Sequence, residues 1–352
     1  MSAQLQDFGR FLTNKRVFAT IIVFIILALL FSFEINAWRK FDWSLFVANA
    51  RYVSLLRAVT AVAIIHVGFL LRAVRWSVLL RPLKAVPAAR LIGPTFVGFT
   101  GLALLGRPGE LIRPYLISRK EGLSISSQLA ALTLERIFDT ASAVVLILTT
   151  ILLSPTTRTL PHAEEFRRGA LMLLGLMTVL TIIVLLFAKR GEKFDWVLKG
   201  ILSPLPAGLA KKAAEIAGTF SADLNLIRDA KSLAQIVVLS ISIWFLVGLA
   251  YFETIHAFGN LWCMSLGDAF LLMGFSLLGS LVQLPGGGTP QLIVVAALIQ
   301  VFGVSAELSV SCGMLAWLTI YMAPVPLGVA LLHHEHSSLR ALVRSSTRPS
   351  VA

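Results

Sequence analysis

The chain has 352 residues, 57% of them hydrophobic and only 14% charged, with a mean hydropathy of +0.83 and a formal net charge of +13. Soluble domains carry roughly 25% charged residues, so the composition is that of an all-α polytopic membrane protein. Period-two alternation is absent and the apolar runs are too long for barrel strands, which excludes a β-barrel, and no basic block interleaved with aromatics suggests nucleic acid.

In chain order, residues 17–33 form the first apolar run. It follows Lys15 and Arg16 and lacks a small-residue cleavage site, so it reads as a span and not a removable signal. Residues 34–57 mix Trp38, Phe41, Trp43 and Phe46 with charges, as in a helix lying in the interface. Residues 58–80 form the second span, in which Arg72 and Arg75 lie near one end and are expected to snorkel to the headgroups. Residues 91–117 are interrupted at Gly106-Arg-Pro-Gly109. The arm before the break has about 15 residues, fewer than the ~20 a straight span needs. Pro108 suits the first turn of a new helix and the glycines allow a sharp reversal. A broken, re-entrant helix is predicted here.

Residues 128–153 and 169–188 read as further spans. The stretch 189–231 is polar and partly amphipathic, fitting a surface-lying helix that joins two halves, 17–188 and 232–333, of one membrane domain spanning 1–352. Residues 233–256 span again. Residues 266–302 are broken a second time, around Gln283-Leu-Pro-Gly-Gly-Gly-Thr-Pro-Gln291, and 308–333 are the last span before a basic tail. If the two broken elements enter from opposite sides, the inner segments hold 21 Lys and Arg and the outer ones 7. That bias predicts about six full spans, both termini cytoplasmic, in the plasma or inner membrane. Two broken elements of opposite topology also suggest inverted repeats.

Charges inside apolar segments mark the candidate site, because acids and bases at membrane depth face a protein interior or a wet cavity. Arg107, Glu110 and Arg113 recur every three residues and line one side of a short helix. Glu135 and Asp139 share a helix face, with Arg136 turned about 100° away. These six residues read as a polar path in which arginines hold phosphate and carboxylates hold an amine or proton. The alternative is an ion-pair network that only fixes the fold. At the second break Gly286, Gly287 and Gly288 permit a tight turn, Thr289 can cap and Pro290 fits the first helical position. The helix start there favours an anion, with Gln283 and Gln291 flanking it as hydrogen-bond donors. Cys263 and Cys312 fit packing roles, and His333, His334 and His336 head the tail. No metal, cofactor or nucleotide-binding loop is expected, and so no enzyme activity.

Three motifs, Gly-Arg-Pro-Gly-Glu-Leu-Ile-Arg (106–113), Leu-Glu-Arg-Ile-Phe-Asp (134–139) and Leu-Pro-Gly-Gly-Gly (284–288), resemble the lysylphosphatidylglycerol synthase transmembrane-region family, also called flippase-like. The resemblance runs from about residue 17 to 333. It implies transbilayer movement of a lipid: aminoacyl-phosphatidylglycerols, hopanoids or polyprenyl-linked sugars in different branches. It carries Arg107, Glu110, Arg113, Glu135, Arg136 and Asp139 over as functional residues. Two positions depart from the family pattern: Gln291 stands nearest a usual glutamate and Trp317 near a frequent arginine. Losing that acid and base argues against an aminoacyl-lipid. The chain ends soon after the last span, so the synthase's soluble transfer domain is not expected. The partners implied are the bilayer and a lipid substrate, with a lipid-synthesising enzyme or glycosyltransferase as a further one. The alternative readings are a membrane enzyme acting on lipid phosphates and an accessory subunit.

Overall fold

The computed structural model describes residues 43–153, 230–280 and 285–332, with a few isolated positions between 164 and 175. Among the described residues there are helices and no strands. This is what a bilayer demands of an unclosed chain, since a helix satisfies its backbone polar groups internally. The elements are α1 (Trp43–Arg51), α2 (Leu55–Leu80), α3 (Ala88–Leu105), a 3₁₀ turn (Arg107–Leu111), α4 (Ile112–Glu121) and α5 (Ile125–Leu153). They continue with α6 (Ala230–His256), α7 (Leu266–Gly279), a second 3₁₀ turn (Pro285–Gly287), α8 (Gly288–Gln300) and α9 (Ala306–Ala316). From α9 the chain passes through a π-helical turn, Trp317–Tyr321, into a last stretch ending at Leu332.

Five helical segments are long and apolar enough to cross a membrane: Leu55–Leu80, Ala88–Leu105, Ile125–Leu153, Lys231–His256 and Ala306–Leu332. Four were expected as full spans. The fifth, Ala88–Leu105, is the first arm of the broken element, expected to be too short to cross. Its helix starts at Ala88, directly after Pro87, and reaches 18 residues. Length therefore does not mark it as re-entrant; its packing does. The expected spans at 17–33 and 169–188, the stretch 189–231 up to the start of α6, and the tail fall wholly or largely outside the described residues.

Helices α2 and α6 run antiparallel along their whole length. Ser54 N–H donates to the Ala257 carbonyl (2.9 Å), Arg57 to Glu253 (2.9 Å), Arg75 to Ser240 (2.7 Å) and Arg81 to Gln235 (2.8 Å). Helix α5 lies against both, antiparallel to α2 through the Trp76 indole bonded to Gln128 at 3.3 Å. It is held to α6 by the Trp244 indole, 3.1 Å from Asp139.

Around this core stand two helical hairpins. In the first, α3 ends at Gly106 (φ 71°), the chain turns through the 3₁₀ segment, and α4 runs back along α3. The fit is backbone against backbone. A Cβ on Gly109 would overlap the Gly101 carbonyl, and one on Gly98 would overlap the Arg113 Cβ. Both open ends of this hairpin lie together at the C-terminal end of α2. There Lys84 donates to the Glu121 carbonyl (2.7 Å) and Arg90 sits 3.0 Å from the Glu121 carboxylate. The second hairpin, α7–turn–α8, is equally tight: a Cβ on Gly279 would lie 2.7 Å from Pro290 Cα. Its open end joins one apolar cluster with Ile255, Phe258, Leu261 and Val53, at the opposite end of the core. The hairpins thus enter from opposite ends, and their tips meet where the Arg107 guanidinium donates to the Ser280 carbonyl at 2.7 Å.

Candidate functional site

Asp139 is the middle residue of the 29-residue α5, and Glu135 lies one turn before it on the same face. A carboxylate at that depth requires a cationic partner from a neighbouring helix. Arg75 of α2, fully buried, supplies it. One guanidinium nitrogen donates to Asp139 at 2.6 Å and the other to Glu135 at 2.6 Å, and the first also reaches the Ser240 hydroxyl. Arg72, one turn back, donates to the other Asp139 oxygen at 3.2 Å. The antiparallel packing of α2 on α5 brings the four residues to one level.

The first hairpin closes the other side. Arg113, held against Gly98 by the α3–α4 contact, forks onto both Glu135 oxygens. Its guanidinium lies 4.0 Å from the Trp76 ring centroid and 5.1 Å from that of Phe99. Arg72 likewise lies over Phe99 and Trp244, at 5.0 and 5.8 Å. Such cation–π contacts suit guanidinium groups removed from water. In the 3₁₀ turn, with three residues per turn, Arg107 and Glu110 fall on one side. Glu110 sits 3.1 Å from Arg136 Nε and 3.9 Å from Arg107. Arg136 in turn is 3.2 Å from Asp139. Neither Arg136 contact is aligned as a hydrogen bond, so both are charge contacts only.

The result is one continuous row. It begins at Arg107, whose side chain is 48% exposed, passes Glu110 and Arg136 (34%), and ends at Asp139, Arg72, Arg75, Glu135 and Arg113 in the interior. All six sequence-predicted charges belong to it. Leaving Arg107 aside, four guanidinium groups (Arg72, Arg75, Arg113, Arg136) face three carboxylates (Glu110, Glu135, Asp139), a surplus of one positive charge.

The expectation that Arg72 and Arg75 snorkel to the headgroups is corrected: both are buried and bound to α5. Two carboxylates at the centre of α5 attract them more strongly than a headgroup layer, because the interior screens charge poorly. Their i, i+3 spacing, which sets both on one face, and the excess of acid on α5 were the available signals. Ser240 and Trp244 carried none, being an ordinary serine and tryptophan in an apolar helix.

The second break is built from Gly286 (φ 80°) and Gly287 (φ 68°), both left-handed. Gly287 caps α8, so the helix begins at Gly288, with Thr289 and Pro290 following as its second and third residues. Thr289 is therefore inside the helix and not the cap expected of it; the left-handed glycine ends the turn earlier. The Trp317 indole donates to the Gly286 carbonyl at 2.7 Å, and the Tyr321 ring occupies the place a Cβ on Gly287 would need. The π-helical turn that carries both aromatics is thus a clasp on the second break, which nothing in the sequence announced. Gln291 is buried in the first turn of α8. Gln283 lies outside the described residues.

Neither a curated protein nor a solved structure matches the chain. The family model for the lysylphosphatidylglycerol synthase TM region matches residues 17–328, a stretch that contains both hairpins, the whole charged row and the clasp. This all-helical membrane protein, with arginines of α2, of the first hairpin and of α5 itself gathered on two carboxylates of α5, belongs to the lysylphosphatidylglycerol synthase transmembrane-region family.

Proposed function

We propose that this protein moves a phosphate-bearing lipid across the bilayer, phospholipid, polyprenyl-linked or hopanoid-type, and that the charged row is where its head group passes. One observation carries the reading: apart from half-exposed Arg107 the row holds one more guanidinium than carboxylate, and it runs unbroken from Arg107 to buried Arg75. A monoanionic phosphodiester completes that balance. Guanidinium forks suit phosphate oxygens, and a net charge removed from water is costly until an anion joins it. The hairpins support the reading too, since broken helices meeting from opposite ends give a place for a polar group at mid-depth.

The carboxylates also bear on the rival enzymatic reading. Glu135 is held by Arg75 and Arg113, and Asp139 by Arg72, Arg75 and Trp244, so both are committed to cations and donors already in the protein. A lipid-phosphate transferase would need such acids free. We therefore assign transport and no chemistry, in a cell membrane with both termini cytoplasmic as the 21-to-7 charge bias directs. A lipid-synthesising or glycosyltransferase partner supplies or consumes the lipid.

The test is reconstitution of the purified protein in phosphatidylcholine vesicles carrying a fluorescent phosphatidylglycerol. Loss of inner-leaflet protection from a membrane-impermeant quencher, above that of empty vesicles, is expected. No acceleration for this lipid or for a polyprenyl phosphate overturns the reading.

A further inference from the structure

The charged row accounts for a phosphate but leaves the second break unused. Gln291 there is 7% exposed, and among the described residues neither its amide nitrogen nor its amide oxygen has a hydrogen-bond partner. Buried side-chain amides are nearly always paired, and an unpaired one is destabilising. Its position explains what it is for. Gln291 is in the first turn of α8, and Cα–Cβ bonds of a helix tilt toward its N-terminus, so its Cβ leans toward the glycine turn. The helix start at Gly287 has no side-chain cap. The surroundings are close: α7 packs on the first turn of α8 at Gly279, and α9 packs on it at Gly313, where a Cβ would be 3.7 Å from the Gln291 carbonyl. The Gly286 carbonyl is taken by Trp317.

We propose that this turn is a second subsite, which takes a hydroxyl group of the lipid head group, on a glycerol or a sugar esterified to the phosphate, with Gln291 as the specificity-determining residue. The proposal rests on the phosphate-lipid reading above and narrows it. The argument is one of matching donors and acceptors. An uncharged amide presents an N–H₂ donor and a carbonyl acceptor side by side. A phosphate oxygen only accepts and leaves the amide carbonyl unpaired. An ammonium only donates and leaves the N–H₂ unpaired. A hydroxyl does both, and a vicinal pair of hydroxyls satisfies both atoms at once. Arg107, bonded to Ser280 just ahead of the turn, places positive charge beside the subsite for the adjoining phosphate.

Three lipids with identical acyl chains separate the two claims: phosphatidylglycerol, phosphatidylethanol and diacylglycerol. The first two carry the same single charge, and phosphatidylethanol lacks both head-group hydroxyls and one head-group carbon. On the purified full-length protein in detergent, phosphatidylglycerol is expected to bind about tenfold tighter than phosphatidylethanol, the discrimination one buried hydrogen-bond pair supplies. Both should exceed diacylglycerol. In Gln291→Leu the phosphatidylglycerol-to-phosphatidylethanol ratio should fall to about one while both still exceed diacylglycerol. The melting temperature should rise, because an apolar side chain of similar size replaces an unpaired amide; a structural glutamine would lower it. Gln291→Met is the second variant, and the wild-type comparison stands by itself if neither accumulates. A parallel pair, polyprenyl glucosyl phosphate against polyprenyl ethyl phosphate, distinguishes a sugar from a glycerol: the pair with the larger Gln291-dependent ratio names the source. Equal binding of hydroxylated and ethyl esters in both pairs, with both above diacylglycerol, overturns the subsite and leaves the phosphate reading standing. Phosphatidylethanol bound no better than diacylglycerol overturns the phosphate reading itself.

Discussion

Arg107, at the tip of the first hairpin, donates to the backbone carbonyl of Ser280, the residue that caps the last helix before the second hairpin's turn, at 2.7 Å. This single bond joins two elements that enter from opposite ends of the core. It also ties the exposed end of the charged row to the glycine turn. Because half of the Arg107 side chain is exposed, the bond is worth only about 1 kcal/mol, so it can break and re-form readily.

Arg107→Gln keeps a donor of shorter reach and loses the charge. We expect global stability to change by less than about 1 kcal/mol, while the transport rate in vesicles falls at least severalfold. Chemical denaturation together with the quencher assay measures both, and wild-type transport by this variant would remove the tip contact from the mechanism.

The charge surplus makes two predictions of unequal size. Arg72→Met brings the buried set to three guanidinium groups and three carboxylates, and Asp139 keeps Arg75 and Arg136. This variant should fold with a loss of about 1 kcal/mol and bind phosphatidylethanol no better than diacylglycerol. Glu135→Gln instead strands Arg75 and Arg113 and should cost about 3–5 kcal/mol. Melting temperatures with lipid-binding isotherms separate the two; comparable losses of stability in both would favour a network that serves only the fold.

The backbone contact within the first hairpin predicts a steric effect with no charge involved. Gly109→Ala places a methyl group on the Gly101 carbonyl and should destabilise by about 1–3 kcal/mol as α4 is pushed off α3. Leu111→Ala, in the same 3₁₀ turn but more than half exposed, should stay within about 0.5 kcal/mol. Thermal unfolding in detergent compares the pair, and equal melting temperatures would mean that the hairpin is not close-packed.

Orientation is open to labelling. With Cys263 replaced by Ser and Cys312 by Ala, Ser337→Cys in the tail should react with an impermeant maleimide only after the cells are permeabilised. Fast reaction in intact cells would reverse the assigned topology and with it the sidedness of both hairpins.

Much of this molecule is a direct consequence of its sequence. Apolar runs near 20 residues set α2, α5, α6 and the last span, because an apolar stretch in lipid satisfies its backbone only as a helix. The two breaks were legible for the same local reason: Gly106-Arg-Pro-Gly109 and Pro285–Gly287 contain residues that stop one helix and start another. The six charges of the first two motifs were legible because acids and bases are conspicuous in apolar segments. What only the tertiary structure decided is which cations those acids keep. Arg72 and Arg75 are as near a helix end in sequence as any snorkelling pair, and the antiparallel set of α2 against α5 and α6 turns them inward onto Asp139, Glu135 and Ser240. The clasp of Trp317 on Gly286 and the unpaired amide of Gln291 were hidden for the same cause. Local sequence sets conformation over a few turns of helix, whereas a buried polar atom is paired or left unpaired by residues far along the chain, which only packing brings together.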